Sequence, residues 1–187
     1  WLMNSVTMRM FNEAYFRKHP KGMISSVVHY EPFFFPLDFV KNWNRIYGQR
    51  GMLQYQLLVP HDPQQTAIRA AIDEVVKAGM ASFLSVIKEF GDRSHGGLSF
   101  PKPGVTLALD FPNVGGPLLE LLERLDNIVV AAGGRVYLGK DARLPMDTFR
   151  KMYPNWESWK SVRDEWDPEH VFQSDLGRRL GLSGRLP

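Results

Sequence analysis

Met52-Leu53-Gln54-Tyr55-Gln56-Leu57-Leu58-Val59, followed by Pro60-His61-Asp62-Pro63-Gln64-Gln65, is the stretch that decides the fold. Its first eight residues read as a strand, and side chains alternate between the two faces of a strand. Leu53, Tyr55, Leu57 and Val59 therefore share one face, while Gln54, Gln56 and Leu58 share the other. The turn that follows supplies an N-cap (Asp62), a proline at the first helical position and a glutamine at N3. Ile68, Ala71, Ile72, Val75 and Val76 then form an apolar stripe at helical spacing, stopped by Gly79.

The same alternation of elements continues along the chain. Ala81 to Phe90 reads as a second strand, 91–104 as a Gly- and Pro-rich loop, and Val105 to Phe111 as a third strand. In that third strand Val105, Leu107, Leu109 and Phe111 face one way and Thr106, Ala108 and Asp110 the other. Pro117 opens a second helix carrying Leu118, Leu121, Leu122, Leu125, Ile128 and Val129, ended by Gly133-Gly134. Arg135 to Leu138 is the fourth strand. The order β-α-β-β-α-β predicts an α+β fold with a ferredoxin-like (split βαβ) antiparallel sheet and both helices on one face. The opposite face is expected to be polar.

Before this core, residues 7–18 read as a helix, Ser25 to Tyr30 as a strand, and Asp38 to Tyr47 as a short helix. After it come Met146 to Met152, Trp156 to Trp166 and a tail through Leu180, all helical. One domain over 1–187 is expected, with a core at about 23–141 and a helical tail at about 145–182.

With 187 residues and 44% hydrophobic content, the chain can bury a sizeable core. Its net charge of +3 comes from 23 basic and 20 acidic residues that are mostly interspersed, which gives no footprint for nucleic acid. There is no cysteine, so thiolate nucleophiles, thiolate metal sites and disulfides are excluded. His19, His29, His61, His95 and His170 show no metal-ligand spacing with nearby carboxylates, and no metal site is expected. The chain opens at Trp1, and no signal-peptide pattern precedes Met8-Arg9-Met10-Phe11, so a piece of a longer protein is expected.

Three groups carry possible chemistry. Gly134-Arg135-Val136-Tyr137-Leu138-Gly139-Lys140-Asp141-Ala142-Arg143 ends a strand in a cluster of charges. It is either a surface ion pair or a cation held beside an anionic or electron-accepting ligand. Gln54 and Gln56 place two amides about 7 Å apart on one face, either solvated or hydrogen-bonding a heteroaromatic edge or sugar hydroxyls. Lys88 interrupts an apolar strand, as an edge lysine guarding against aggregation or as a cation facing a ligand.

Several motifs then line up in order. They are Phe33-Phe34-Phe35-Pro36-Leu37-Asp38, Trp43-Asn44-Arg45-Ile46-Tyr47-Gly48, Leu53-Gln54-Tyr55-Gln56, Leu98-Ser99-Phe100-Pro101, Gly134-Arg135-Val136-Tyr137 with Lys140-Asp141, Met152-Tyr153-Pro154, and Ser174-Asp175-Leu176 with Arg178-Arg179-Leu180. Together they resemble the C-terminal half of the decaprenylphosphoryl-ribose oxidase group, within the vanillyl-alcohol-oxidase type of FAD-dependent oxidoreductases. The resemblance covers nearly the whole chain.

It implies a substrate or cap domain whose antiparallel sheet covers the flavin of FAD, with the FAD-binding domain upstream. It implies oxidation of a sugar hydroxyl by hydride transfer to flavin, on a small-molecule or lipid-linked sugar. An NAD(P)H-dependent keto-sugar reductase is the implied partner, in a bacterial cytoplasm or at a membrane. By the matching motifs, Tyr137 would contact FAD, Lys140 would sit catalytically at flavin and substrate, and Gln56 would hydrogen-bond flavin or sugar. Gln54, Lys88, Thr106, Ala108 and Phe35 would face the substrate. The family members best known as drug targets have cysteine where this chain has Ala108, asparagine at Thr106 and tyrosine at Phe35, so these three positions depart from them.

Overall fold

The computed structural model describes residues 5–35, 38, 41–80, 82, 84–92 and 95–184. In chain order these form α1 (Ser5–Lys18), α2 (Tyr30–Phe34), a 3-10 turn (Trp43–Tyr47), β1 (Met52–Val59), α3 (Thr66–Lys77), β2 (Ser85–Phe90), β3 (Gly104–Pro112), α4 (Gly116–Ala131) and β4 (Arg135–Val136). A second 3-10 turn (Leu138–Lys140), α5 (Met146–Met152), α6 (Trp156–Trp166) and α7 (Asp175–Arg179) complete it.

The strands lie in the order β2-β3-β1-β4, and every neighbouring pair is antiparallel. This is the split βαβ order expected from the alternation of elements. β1 and β3 pair along their full length, from Met52 opposite Pro112 to Val59 opposite Val105. That register puts Leu53, Tyr55, Leu57 and Val59 on the same face as Phe111, Leu109, Leu107 and Val105. A slip of one residue would turn this whole set to the other side.

The apolar face packs under α3 and α4. Tyr55, Leu57, Leu107, Leu109 and Phe111 form one core with Ile68 and Ala71 of α3 and Leu118, Leu121, Leu122, Leu125 and Val129 of α4. Phe149, Met152 and Tyr153 from α5 and its end, with Leu180 and Leu182 from the tail, belong to the same core. Each such buried side chain contributes about 1.5–3 kcal/mol. The tail is thus part of the domain interior. The Tyr153 hydroxyl donates to the Val136 carbonyl at 2.6 Å, and the Arg135 guanidinium lies 5.0 Å over the Tyr153 ring.

One polar network crosses the apolar layer. The Tyr55 hydroxyl donates to Asp126 Oδ1 of α4 at 2.9 Å, and Arg143 donates to Asp126 Oδ2 at 2.6 Å. Burial raises the carboxyl of Asp126 above its ordinary value, against the opposing pull of Arg143 and Tyr55. It raises the Tyr55 hydroxyl as well.

Five expectations need correction. Residues 25–29 are not a strand; they lie exposed without a ladder partner, and Tyr30 opens α2 instead. A strand needs partners for its backbone groups, and this segment has none among the described residues. The fourth strand ends at Val136, because Leu138–Lys140 turns into 3-10 geometry. Regular helix in the Asp38–Tyr47 region is confined to the 3-10 turn, and positions 39 and 40 fall outside the described residues. The second strand begins at Ser85; positions 81 and 83 of the expected span are likewise outside them. The start of α3 also differs: Gln65 is the N-cap and Thr66 the first helical residue, so Asp62, Pro63 and Gln65 do not hold the N-cap, first helical and N3 positions. Asp62 instead closes the preceding turn by accepting from the backbone N–H of Gln64 at 3.0 Å and of Thr66 at 2.8 Å.

Glycine is required where β4 begins. A Cβ on Gly134 would lie 2.3 Å from the Leu58 carbonyl oxygen, so the backbone approach to β1 excludes any side chain.

Removing the acid from the buried network should be costly. Asp126→Ala leaves Arg143 without its counter-charge and Tyr55 without its acceptor, and is expected to lower stability by about 3–5 kcal/mol. Urea unfolding measures it, and a loss under about 1 kcal/mol would show the network to be peripheral.

Candidate functional site

The face of the sheet opposite the helices is laid out by register. Across one row lie Val86, Ala108 and Gln56; across the next lie Lys88, Thr106, Leu58 and Arg135. Asp110 stands opposite Gln54 in a third row. The Tyr137 backbone N–H donates to the Gln56 carbonyl at 2.8 Å, which sets Tyr137 beside Gln56 at the β4 edge. Gln54, Gln56, Lys88, Thr106, Ala108 and Tyr137 therefore share one surface.

Hydrogen bonds hold this surface in shape. Gln54 Nε2 donates to Asp110 Oδ1 at 3.0 Å. Gln56 Nε2 donates to Thr106 Oγ1 at 3.0 Å, and that hydroxyl donates to the Leu57 carbonyl at 2.7 Å. Gln56 and Thr106 are buried, at 8% and 1% exposure. Thr106 thus orients the amide by accepting from it, which leaves Gln56 Oε1 and one Nε2 hydrogen for a further partner. Asp110 is buried at 2%, and its Oδ2 has no hydrogen-bond partner among the described residues. Tyr47 sits near Asp110, and burial together with that negative charge pushes its hydroxyl up to about 12.

Aromatic rings cover part of the face. Phe100 packs between Phe90 and Tyr137, with ring centroids 5.8 and 4.9 Å away. It therefore lies across the row of Thr106 and Leu58. Tyr137 also leans over Gly139: a Cβ there would meet the ring Cζ at 2.8 Å. Gly139 thus leaves room for the Tyr137 ring beside the turn.

The Leu138–Lys140 turn packs against β1 and presents Lys140 half-buried at this end of the sheet. Lys140 Nζ and Lys88 Nζ make no ion pair or hydrogen bond among the described residues. Lys88 is exposed on the edge strand β2. Phe35 stands apart from this group. It follows α2, 51% exposed, and no contact between it and the sheet is described. Asp110, Phe100 and Tyr47 belong to the surface although sequence reading did not single them out as site residues. The Gln54/Asp110 alternation signalled only the first; loop residues 95–103 carry no periodic signal that would place Phe100.

An isoalloxazine ring presents a flat π surface, a donor and acceptor edge, and a region that gains negative charge on reduction. The face offers Tyr137 for the plane and the Gln56 and Gln54 amides for the edge, and Lys140, whose ammonium makes no ion pair or hydrogen bond among the described residues, lies in the turn that packs against β1. These residues fit such a group.

Comparison with known proteins points the same way. The family model described as D-arabinono-1,4-lactone oxidase matches residues 113–180. The decaprenylphosphoryl-beta-D-ribose oxidase of Mycolicibacterium smegmatis is 39% identical over 181 residues, covering 97% of this chain and 39% of that protein. The chain is homologous to a segment of FAD-linked oxidases. An L-gulono-1,4-lactone dehydrogenase of Mycobacterium tuberculosis is 25% identical over 128 residues, 68% of this chain and 30% of its own length. The chain thus spans well under half the length of these curated relatives. The family-model match includes α4, β4, Lys140 and the tail through Leu180, so the turn and its tertiary supports lie together in the shared region.

The Thr106–Gln56 bond is open to direct test. Thr106→Val keeps the shape but leaves the buried Gln56 amide and Leu57 carbonyl short of a partner, and is expected to cost about 1–3 kcal/mol. Thermal unfolding reads the loss; an unchanged midpoint would mean that the amide is satisfied elsewhere.

Proposed function

We propose that this chain is the substrate-facing cap domain of an FAD-dependent oxidoreductase that oxidises a sugar hydroxyl, with a polyprenylphosphoryl-ribose as the preferred substrate class. The observation that supports the reading is a single sheet face joining the Gln54 and Gln56 amides, Tyr137 and Lys88, with Lys140 in the turn that directly follows β4. Its own N-terminal FAD-binding domain is the partner that this face would close upon. An NAD(P)H-dependent keto-sugar reductase would take the oxidised product onward.

FAD, when bound, supplies the hydride acceptor. The residues of this chain do the rest. Tyr137 packs against the ring plane, held there by Phe100 and by the space above Gly139. Gln56, fixed by Thr106, offers an acceptor and a donor to the ring edge or to a sugar hydroxyl. Lys140 brings a positive charge to where negative charge develops, and in a site closed to water such a charge is worth several kcal/mol. Lys88 reaches from the sheet edge toward the anionic or hydroxyl-bearing side of the substrate. Ala108 leaves a shallow space where a larger side chain would stand, which bears on the shape of substrate admitted.

A lactone or other alcohol substrate is the second reading. The match to the lactone-oxidase family model and the lactone dehydrogenase relative support it. Comparing turnover of a polyprenylphosphoryl-ribose with that of an aldonolactone separates the two. A stand-alone binding module without catalysis would instead bind its ligand without the remaining domain.

In the intact protein Lys140→Ala is expected to slow flavin reduction by at least about tenfold, roughly 1.4 kcal/mol of barrier. Stopped-flow absorbance of the flavin checks it, and an unchanged rate removes Lys140 from the mechanism. The chain by itself is expected to bind FAD only weakly.

A further inference from the structure

The residues behind Lys140 are tied to the end of the chain by one guanidinium. Arg179 Nη2 donates to Asp141 Oδ2 at 2.8 Å, and Arg179 Nη1 donates to the Leu144 carbonyl at 2.5 Å. One side chain thus spans both ends of the Asp141–Leu144 loop. The Asp141 carboxylate closes the loop from inside: its Oδ1 accepts from the N–H of Arg143 at 2.9 Å and of Leu144 at 2.8 Å. Asp141 is 5% exposed in its side chain and Arg179 29%, so the pair is sheltered.

Arg179 is itself held rigidly. The Leu180 N–H donates to the Leu176 carbonyl at 3.0 Å, the Leu182 N–H donates to the Gly177 carbonyl at 2.8 Å, and Leu180 and Leu182 are buried in the core. On the other side Arg143 reaches Asp126 of α4. The loop immediately after Lys140 is therefore gripped from the tail and from the helix layer, while the Lys140 ammonium makes no ion pair or hydrogen bond among the described residues.

We propose that Arg179 is a positioning residue for Lys140: through Asp141 the C-terminal tail fixes the turn that aims the Lys140 ammonium across the sheet face. This rests on the proposed role of Lys140. A planar guanidinium with two separated donors can hold two acceptors at once, which a lysine ammonium on a flexible stem does less well. Arg178, the neighbour on α7, serves as a control because its side chain, among the described residues, bonds Gln173 and Asp175, both exposed, and does not reach the Asp141–Leu144 loop.

The test uses the full-length flavoprotein with Arg179→Ala, Arg179→Lys, Arg178→Ala, Lys140→Ala and the Arg179→Ala/Lys140→Ala pair. Arg179→Ala is expected to slow flavin reduction by about fivefold or more at saturating sugar with little change in KM, the mark of an interaction that matters chiefly at the transition state. Arg179→Lys should fall between it and wild type, and Arg178→Ala should match wild type. Because one residue acts through the other, the double variant should be no slower than Lys140→Ala alone. Independently of turnover, amide hydrogen exchange at Arg143 and Leu144 should quicken in Arg179→Ala and not in Arg178→Ala. Additive effects in the pair, or wild-type exchange and reduction in Arg179→Ala while Lys140→Ala is slow, overturn the proposal and leave the role of Lys140 standing. Wild-type reduction in Lys140→Ala sinks the functional reading itself. Should Arg179→Ala fail to fold, the same comparisons are made with Arg179→Lys, and its equality with wild type in both rate and exchange overturns the proposal.

Discussion

The pairing of β1 with β3 is the constraint on which the rest depends. Eight opposed pairs lock the alternation of two strands together, so Leu53, Tyr55, Leu57 and Val59 of one meet Phe111, Leu109, Leu107 and Val105 of the other. The two faces acquire opposite characters in a single step. One face must be covered by α3 and α4, because leaving Leu57, Leu107 and Phe111 in water would forfeit the main driving force of folding. The other collects Gln54, Gln56, Thr106 and Asp110, and a polar surface arises as the reverse side of the core.

Polar groups at the sheet's end tie the helix layer to the loop that follows β4. Tyr55, the one polar-tipped residue on the apolar face of β1, carries its hydroxyl through the core to Asp126. Asp126 holds Arg143, and Asp141 holds Arg179. Such buried pairs are poor sources of net stability but good at excluding alternative arrangements, a role consistent with their place behind a turn that must be well defined. The loop after β4 is thereby as rigid as the layer beneath it.

Departures from the family pattern are absorbed locally. Thr106 answers Gln56 with a hydroxyl that accepts from the amide and donates to a backbone carbonyl. An asparagine there would offer a longer side chain with both a donor and an acceptor at its tip. Ala108, opposite Gln56, leaves space where a bulkier residue would stand. The scaffold tolerates both because neither position contributes to the apolar core. Differences of this kind change what the surface recognises and not how the sheet is built.

Strand alternation, helix stripes and their glycine stops were legible in residues 52–138, and with them the α+β class, the strand order and the two-faced sheet. These are local properties, set by a period of two or of 3.6 that a linear chain displays. The chemistry of Lys140, Gln54 and Gln56 could be nominated from residue type, and their family roles from resemblance. What the chain alone did not reveal was that Ser25–Tyr30 lacks a partner strand, that Phe100 folds over Thr106, or that Arg179 reaches Asp141. Each of these joins residues far apart in sequence through contacts that have no period. Sequence pattern determined which faces exist; tertiary packing decided what covers them, because coverage depends on where loops and tails return in space.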